Sequence, residues 1–243
     1  MGVGEPGAGA VSPPAFRVAR RVLGLAVAGT GGLLAVDLGA RAFHHYVAPI
    51  PAVRWLFNVG AEANLATWWN NTLLLAVAGM AIAAAVLSGR SARPGPVAWL
   101  GLAVAAALLS IDETVQLHER LTDVGRAWVR TLAIPFPTYT WVLPGGILAA
   151  AATVGAVLWA RRFPRDLRYG LLGALAAYLT GALLVESFNG WARRNGLDVI
   201  YALGTSLEEC LEMSACLLAL AVISRYVILE VHPINGRPAA RTR

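Results

Sequence analysis

The residues of this sequence best able to do chemistry are carboxyl groups at the ends of apolar segments. Asp37, Glu62, Asp112, Glu113, Glu119, Asp123, Glu186, Asp198, Glu208, Glu209 and Glu212 are eleven of the fourteen acidic residues, and all fall at the same end of the apolar stretches they flank. His44, His45 and His118 lie at that level too. An ionisable group in hydrocarbon costs on the order of 3 kcal/mol at a helix centre, so such a gathering points to a site. Carboxylates with one or two imidazoles suit Mg, Mn, Fe or Zn. Carboxylates from several facing helices, with a histidine, hold the metals of di-iron and di-manganese bundles. Without a metal, the same groups can act as general acid and base.

Spacing sorts these residues. At about 100° per helical residue, a helix running through LLSIDETVQLHERL puts Asp112, Gln116 and Glu119 on one stripe, with Glu113 and His118 flanking it on opposite sides. In SLEECLEM, Glu208 and Glu212 are one turn apart with Glu209 beside them. Three carboxylates on one turn cannot all ionise cheaply without a cation between them. Thr205-x-x-Glu208 and Ser206-x-x-Glu209 both fit capping boxes, which makes one of those two glutamates structural. Asp37 and Arg41 have the spacing of an i, i+4 ion pair. Glu62 precedes an apolar span, where an acid suits the positive end of the helix dipole. Asp112, Glu186 and Glu212 resist such readings, since each adjoins an apolar run. The expected ligands of a divalent metal (Fe, Mn, Zn or Mg) are Asp112, Glu119, Glu186, Glu208 and Glu212. Asp112, His118 and Glu186 are the expected catalytic residues, and Glu62, Glu113, Gln116, Glu209 and His44 are secondary candidates.

The elements that position them are membrane spans. Of 243 residues, 57% are hydrophobic and only 14% charged, against roughly 25% charged in a soluble domain. Six segments approach the ~20 apolar residues that cross a bilayer: Val22–Tyr46, Leu65–Leu87, Pro96 to near Leu121, Trp141–Ala160, Tyr169–Phe188 and Leu207–Leu229. Backbone polar groups in lipid must be satisfied within the segment, so the spans are helices. The fold expected is an all-α, polytopic bundle of six transmembrane helices over residues 17–230, with a disordered tail at 1–16 and a cytoplasmic tail at 231–243. Ala40-Arg41-Ala42 resembles a signal-peptide cleavage site, but the apolar stretch before it is long and carries Asp37. With both termini in the cytoplasm, thirteen of the twenty arginines fall on the cytoplasmic side, as the positive-inside rule requires. The acidic cluster is then extracytoplasmic, ringed by Trp55, Trp68, Trp69, Trp128, Trp141 and Trp191. The net charge of +6 comes from arginines in short loops, which argues against nucleic acid as a partner. Arginine supplies every basic residue, and Ala, Gly and Val abound, as in a GC-rich bacterial genome, which places the chain in a bacterial inner membrane. Cys210 and Cys216 lie about 9 Å apart along one helix, too far for a disulfide, and read as packing residues.

Familiar soluble motifs are missing: there is no Gly-x-Ser-x-Gly, P-loop or His-Glu-x-x-His, nor the Glu-x-x-His of dimetal bundles. Four histidines are too few for desaturase boxes. The acids close the third span but open the sixth, which disfavours an inverted repeat of three helices. Glu62-Ala63-Asn64 with Thr67-Trp68, Ser110-x-Asp112-Glu113 with His118-Glu119, and Glu208-Glu209-x-x-Glu212-Met213 resemble segments of an uncharacterised group of bacterial multi-pass membrane proteins. That resemblance implies no activity; it implies that the polar positions belong to one set. The leading expectation is a metal-dependent enzyme acting on a lipid-like or isoprenoid substrate, or a metal-free variant that cyclises or isomerises by acid catalysis. Two alternatives stand beside it. One is a cation- or proton-coupled transporter. The other is a non-catalytic subunit that docks a protein partner at the extracytoplasmic end.

Overall fold

A computed structural model describes residues 14–88 and 94–228, and every regular element among them is helical. Helix α1 (Pro14–Tyr46) is followed by the short α2 (Pro51–Phe57), then α3 (Leu65–Leu87), α4 (Pro96–Val115), a 3₁₀ turn (Glu119–Leu121) and α5 (Thr122–Leu132). The chain continues through α6 (Val142–Ala160), α7 (Arg165–Leu179), a π-helical segment (Thr180–Val185), α8 (Glu186–Arg194) and α9 (Asp198–Tyr226). Among the described residues, five helical stretches are long and apolar enough to cross a bilayer: Phe16–Tyr46, Leu65–Leu87, Pro96–Val115, Val142–Ala160 and Arg165–Arg194. This fits a multi-pass membrane protein. α9 is long, but Glu208, Glu209 and Glu212 interrupt its apolar character.

The centre of the bundle is α3. Its buried residues Ala66, Asn70, Leu73, Leu74, Val77, Ala78, Ala81, Ala84 and Ala85 repeat at three and four, the spacing of one helix face. They meet the alanines of α4 (Ala98, Ala103, Ala106) and the buried side of α9 (Met213, Cys216, Ala219, Ile223). Small side chains let helix axes approach closely where lipid supplies no hydrophobic drive for association. α1 joins through its Asp37 end and through a hydrogen bond from Trp69 Nε1 to Thr30 Oγ1 at 2.9 Å. The outward faces carry Leu25, Val86, Val104, Ile147, Val154 and Leu184, all exposed, as lipid contact requires.

Helix α6 is different. It buries Pro144 and Gly145 at one end and Ala160 at the other, and nothing between. Its middle stands off from α4 and α9 across open space. Gly145 lets Trp141 fold back under the helix start: a Cβ there would lie 2.5 Å from the indole ring.

Several boundaries differ from the expected ones. The first helix starts at Pro14, inside the tail expected at 1–16. The third span ends at Val115 rather than near Leu121, because Gln116 adopts the left-handed conformation (φ 55°) and stops the helix. The last helix begins at Asp198, nine residues before Leu207, so Glu208 and Glu209 sit in its interior and neither capping box forms. Thr205 and Ser206 instead donate backward to the carbonyls of Tyr201 and Ala202. Arg90, Arg93, the expected tail 231–243 and residues 1–13 lie outside the described residues.

Candidate functional site

The break at Gln116 organises the site. The chain leaves α4, turns through Leu117 and returns His118 to the end of the helix. Asp112 Oδ1 accepts the backbone N–H of His118 at 2.9 Å, and Asp112 Oδ2 lies 2.9 Å from the ring Nδ1. With Nδ1 committed to the carboxylate, Nε2 is the nitrogen left for other partners. Burial works against a charge on His118, but the hydrogen bond and charge of Asp112, helped by Glu186 and Glu119, outweigh it and push the pKa up to about 9. The indole of Trp141 packs against the imidazole with ring centres 4.8 Å apart. Its Nε1 donates to Glu186 Oε1 at 3.2 Å. One tryptophan thus sits between the Asp112–His118 pair and Glu186.

Glu186 owes its place to the π-helical segment before it. A π segment inserts an extra residue per turn and turns the next stretch of helix to a new face, and such bulges are frequent at functional sites. Gly181, within it, is pressed against α9: a Cβ would come 2.9 Å from the carbonyl oxygen of Glu208 and 3.1 Å from Glu212 Cγ. α9 in turn presents Glu208, Glu209 and the buried Glu212. Asn189 Nδ2 donates to Glu208 Oε2 at 2.7 Å, and Asn70 Nδ2, from the second turn of α3, donates to Glu113 Oε1 at 3.1 Å. Three of the glutamates thus accept an N–H from a neutral amide or indole rather than from a cation.

All of this surrounds one cavity of about 770 Å³. Its walls include Glu62, Asp112, Glu113, Glu119, Glu186, Glu208, Glu209 and Glu212, together with His118 and Arg193. Eight carboxyl groups therefore face one imidazole and one guanidinium. Glu62 and Glu119 stand at the more exposed margin. Packing around the Glu62 carboxyl raises its pKa, although a hydrogen bond with Gln116 pulls the other way. The Tyr139 phenol, also in the wall, is raised first by burial. Toward the middle of the bundle the cavity meets a second one of about 500 Å³. The two share Leu109, Ala152 and Tyr178 as wall residues. Beyond that joint the lining is almost wholly apolar, running past Leu74, Ala106, Leu175 and Ala219 to Trp159 and Phe163.

The expected residues divide cleanly. Asp112, Glu119, Glu186, Glu208, Glu212, His118, Glu62, Glu113 and Glu209 all line the cavity. They do not form the expected metal-ligand set: among the described residues no group of three His, Cys, Asp or Glu side chains is arranged to hold an ion. The stripe expected from Asp112, Gln116 and Glu119 on one continuous helix does not exist, because the helix ends between them. Gln116 acts instead through Glu62. His44 is outside the cavity; its Nδ1 accepts the N–H of Ile50 at 3.0 Å and fixes the turn into α2. Asp37 is outside as well. It is 1% exposed, and Arg41 Nε reaches it at 2.8 Å, Arg54 Nη1 at 3.9 Å and Ser206 Oγ at 3.2 Å. Asp123 pairs with Arg126 in an exposed position.

Asn70, Tyr139, Tyr178, Asn189 and Arg193 join the site unannounced by the sequence reading, as does Trp141 in its role as a site residue. Asn70 carries a usable signal, a pair of amides (Asn70-Asn71) inside an apolar helix. Arg193 carries none, since it looks like any arginine at a span end.

A family model described as a domain of unknown function, DUF8692, matches residues 22–227, which include every wall residue of both cavities. No curated protein and no solved structure matches the chain.

Proposed function

Since the chain belongs to the DUF8692 family, whose description carries no activity, the site alone must supply the reading, and we propose a membrane enzyme that transfers protons on a lipid-like substrate. The observation that carries it is the linked set Asp112–His118–Trp141–Glu186 on the wall of a polar cavity that adjoins an apolar one. In this reading α9 is the sixth span, both termini are cytoplasmic, and the cavity faces the outer leaflet of a bacterial inner membrane. The arginine bias and the tryptophans at the acidic end support that orientation.

The roles follow from the hydrogen bonds. Asp112, which accepts two of them from His118, acts as a carboxylate rather than as the proton donor. His118, with its pKa near 9, carries its proton at neutral pH and is the general acid, delivering it from Nε2. Glu186, across Trp141, is the partner base. A proton supplied by one and collected by the other shifts or closes a double bond beside the polar end of the substrate, with no co-reactant. The amides of Asn70 and Asn189 hold Glu113 and Glu208 in place by hydrogen bonds.

A transport pathway draws less support, because among the described residues the inner cavity is lined by apolar side chains with Tyr178 and Cys216 as its titratable groups. The metal-dependent form of the enzyme has no assembled ligand set behind it among the described residues. The test is a comparison of membrane lipids, by mass spectrometry, from cells expressing the wild type, His118→Asn and Glu186→Gln. The reading expects a lipid species that the wild type converts and both variants leave unchanged. Identical lipid profiles in all three, with the proteins folded and present, would sink it.

A further inference from the structure

We infer that the two cavities together hold a single-chain amphiphile with a cationic, ammonium-type head: the head among the carboxyl groups, the hydrocarbon chain in the apolar cavity behind Ala152. The inference rests on the catalytic reading for the site's existence and adds the class of molecule that occupies it.

Three observations carry it. First, the cavities are adjacent. Leu109, Ala152 and Tyr178 belong to both walls, so only these side chains stand between a molecule in one and the space of the other. Second, the change in chemistry along that path is abrupt. One side carries eight carboxyl groups; the other offers Leu74, Val77, Leu102, Ala106, Leu175 and Ala219. A linear molecule with one polar end matches that division, and a molecule polar throughout does not. Third, the polar side is lopsided in composition. Among the described residues, eight acidic groups in its wall stand beside two basic ones, His118, already bound to Asp112, and Arg193, which lies against the ring of Tyr201. An anionic head would add to this crowding of acids, whereas an ammonium brings up to three N–H donors and a charge that favours their ionised form.

The geometry also suggests how a chain gets in. The middle of α6 is unsupported by α4 and α9, and Ala152, Gly155 and Ala156 present little bulk to the apolar cavity. A phenylalanine at position 152 would project into that open space rather than into packed core. Such a variant should fold while filling the space where the cavities adjoin.

The experiment uses the full chain in lipid nanodiscs and three photoactivatable probes of equal chain length. Each carries a diazirine at the chain end and an ammonium, hydroxyl or carboxylate head, and labelled peptides are mapped by mass spectrometry. The expected result is saturable labelling of the apolar wall by the ammonium probe, about tenfold or more above the hydroxyl probe, as a charge-assisted contact predicts. Ala152→Phe should abolish that labelling, and a Glu208→Gln, Glu212→Gln double variant should reduce it several-fold. Equal labelling by all three heads, or labelling that does not saturate, would mean bulk lipid fills the groove and would overturn the inference. Labelling unchanged in Ala152→Phe would overturn it too. His118→Asn separates the two readings, since it should keep the labelling while losing turnover. Labelling without any His118-dependent turnover defeats the catalytic reading alone; turnover without ammonium selectivity defeats this one alone.

Discussion

Asp112 grips His118 at two points, the backbone N–H on one carboxylate oxygen and the ring Nδ1 on the other, both at 2.9 Å. Removing the charge while keeping the shape isolates what that grip does. In Asp112→Asn the chief group holding the His118 proton is gone, and the pKa should fall from about 9 toward the ordinary 6.5. The alkaline limb of the activity profile should move down with it. At pH 8 the loss should be roughly 30-fold, because the protonated fraction of a general acid falls there from about nine-tenths to about 3%. Proton NMR or a pH–rate profile reads the shift directly, and an alkaline limb that stays near 9 would show that something other than Asp112 sets it.

The same shift acts on stability. A folded-state pKa raised above the unfolded one means that the contribution is complete below about 6.5 and is lost as pH climbs through about 9. Thermal unfolding of the wild type in detergent should therefore decline across that interval. His118→Asn should flatten the decline over the same range. An equal slope in both proteins would mean that another group titrates there.

How much of the molecule is readable from its sequence depends on which forces are local. The spans are legible because ~20 apolar residues declare themselves, and the acids are legible because they are costly where they stand. The stop at Gln116 is not, since a left-handed helix end announces itself through glycine or asparagine, and this one uses neither. On an unbroken helix His118 would lie on the far side from Glu113; the break brings it back. α5 stays hidden although Val124, Trp128 and Leu132 repeat every four residues, because eleven residues are too few to span and read as loop. The early start of α9 is hidden because residues 198–206 are only moderately apolar and gain their place by packing, with Gly60 against Thr205 and Gly204 against Asn189. Asp37 shows the limit from the other side. Its ion pair with Arg41 is readable, but Arg54 and Ser206, which take it away from the cavity, arrive from distant segments.

That ion-pair cluster should matter for folding and not for the site. Asp37 is almost fully buried and answers two guanidinium groups, so Asp37→Ala takes the carboxylate from Arg54 and leaves Arg41 with the Ala202 carbonyl and Asn58 Oδ1 as acceptors. Breaking a buried pair this way costs roughly 3–5 kcal/mol. Denaturant unfolding of the variant should show a loss of that size. Its surviving folded fraction should keep the wild-type pH profile, since neither Arg41 nor Arg54 lines the cavity. A changed profile would place Asp37 in the chemistry after all.

Gly181 offers the sharpest probe of how the π-helical segment serves the carboxyls. Its Cα faces the backbone of Glu208 and the side chains of Leu211 and Glu212 so closely that a methyl group would sit 2.9 Å from a carbonyl oxygen, which cannot swing aside as a side chain can. Gly181→Ala must therefore move the π-helical segment and α9 apart by a few tenths of an ångström, and Glu186, five residues on, moves with it. Overpacking of this kind costs about 1–3 kcal/mol. The effect on catalysis should exceed the effect on stability, because proton transfer depends on donor and acceptor staying within hydrogen-bond reach. Lipid turnover should fall at least tenfold while the unfolding temperature drops by only a few degrees. Gly181→Ala with full turnover would mean that Glu186 does not need the position the π segment gives it, and its role as partner base to His118 would have to pass to another of the cavity's carboxyls.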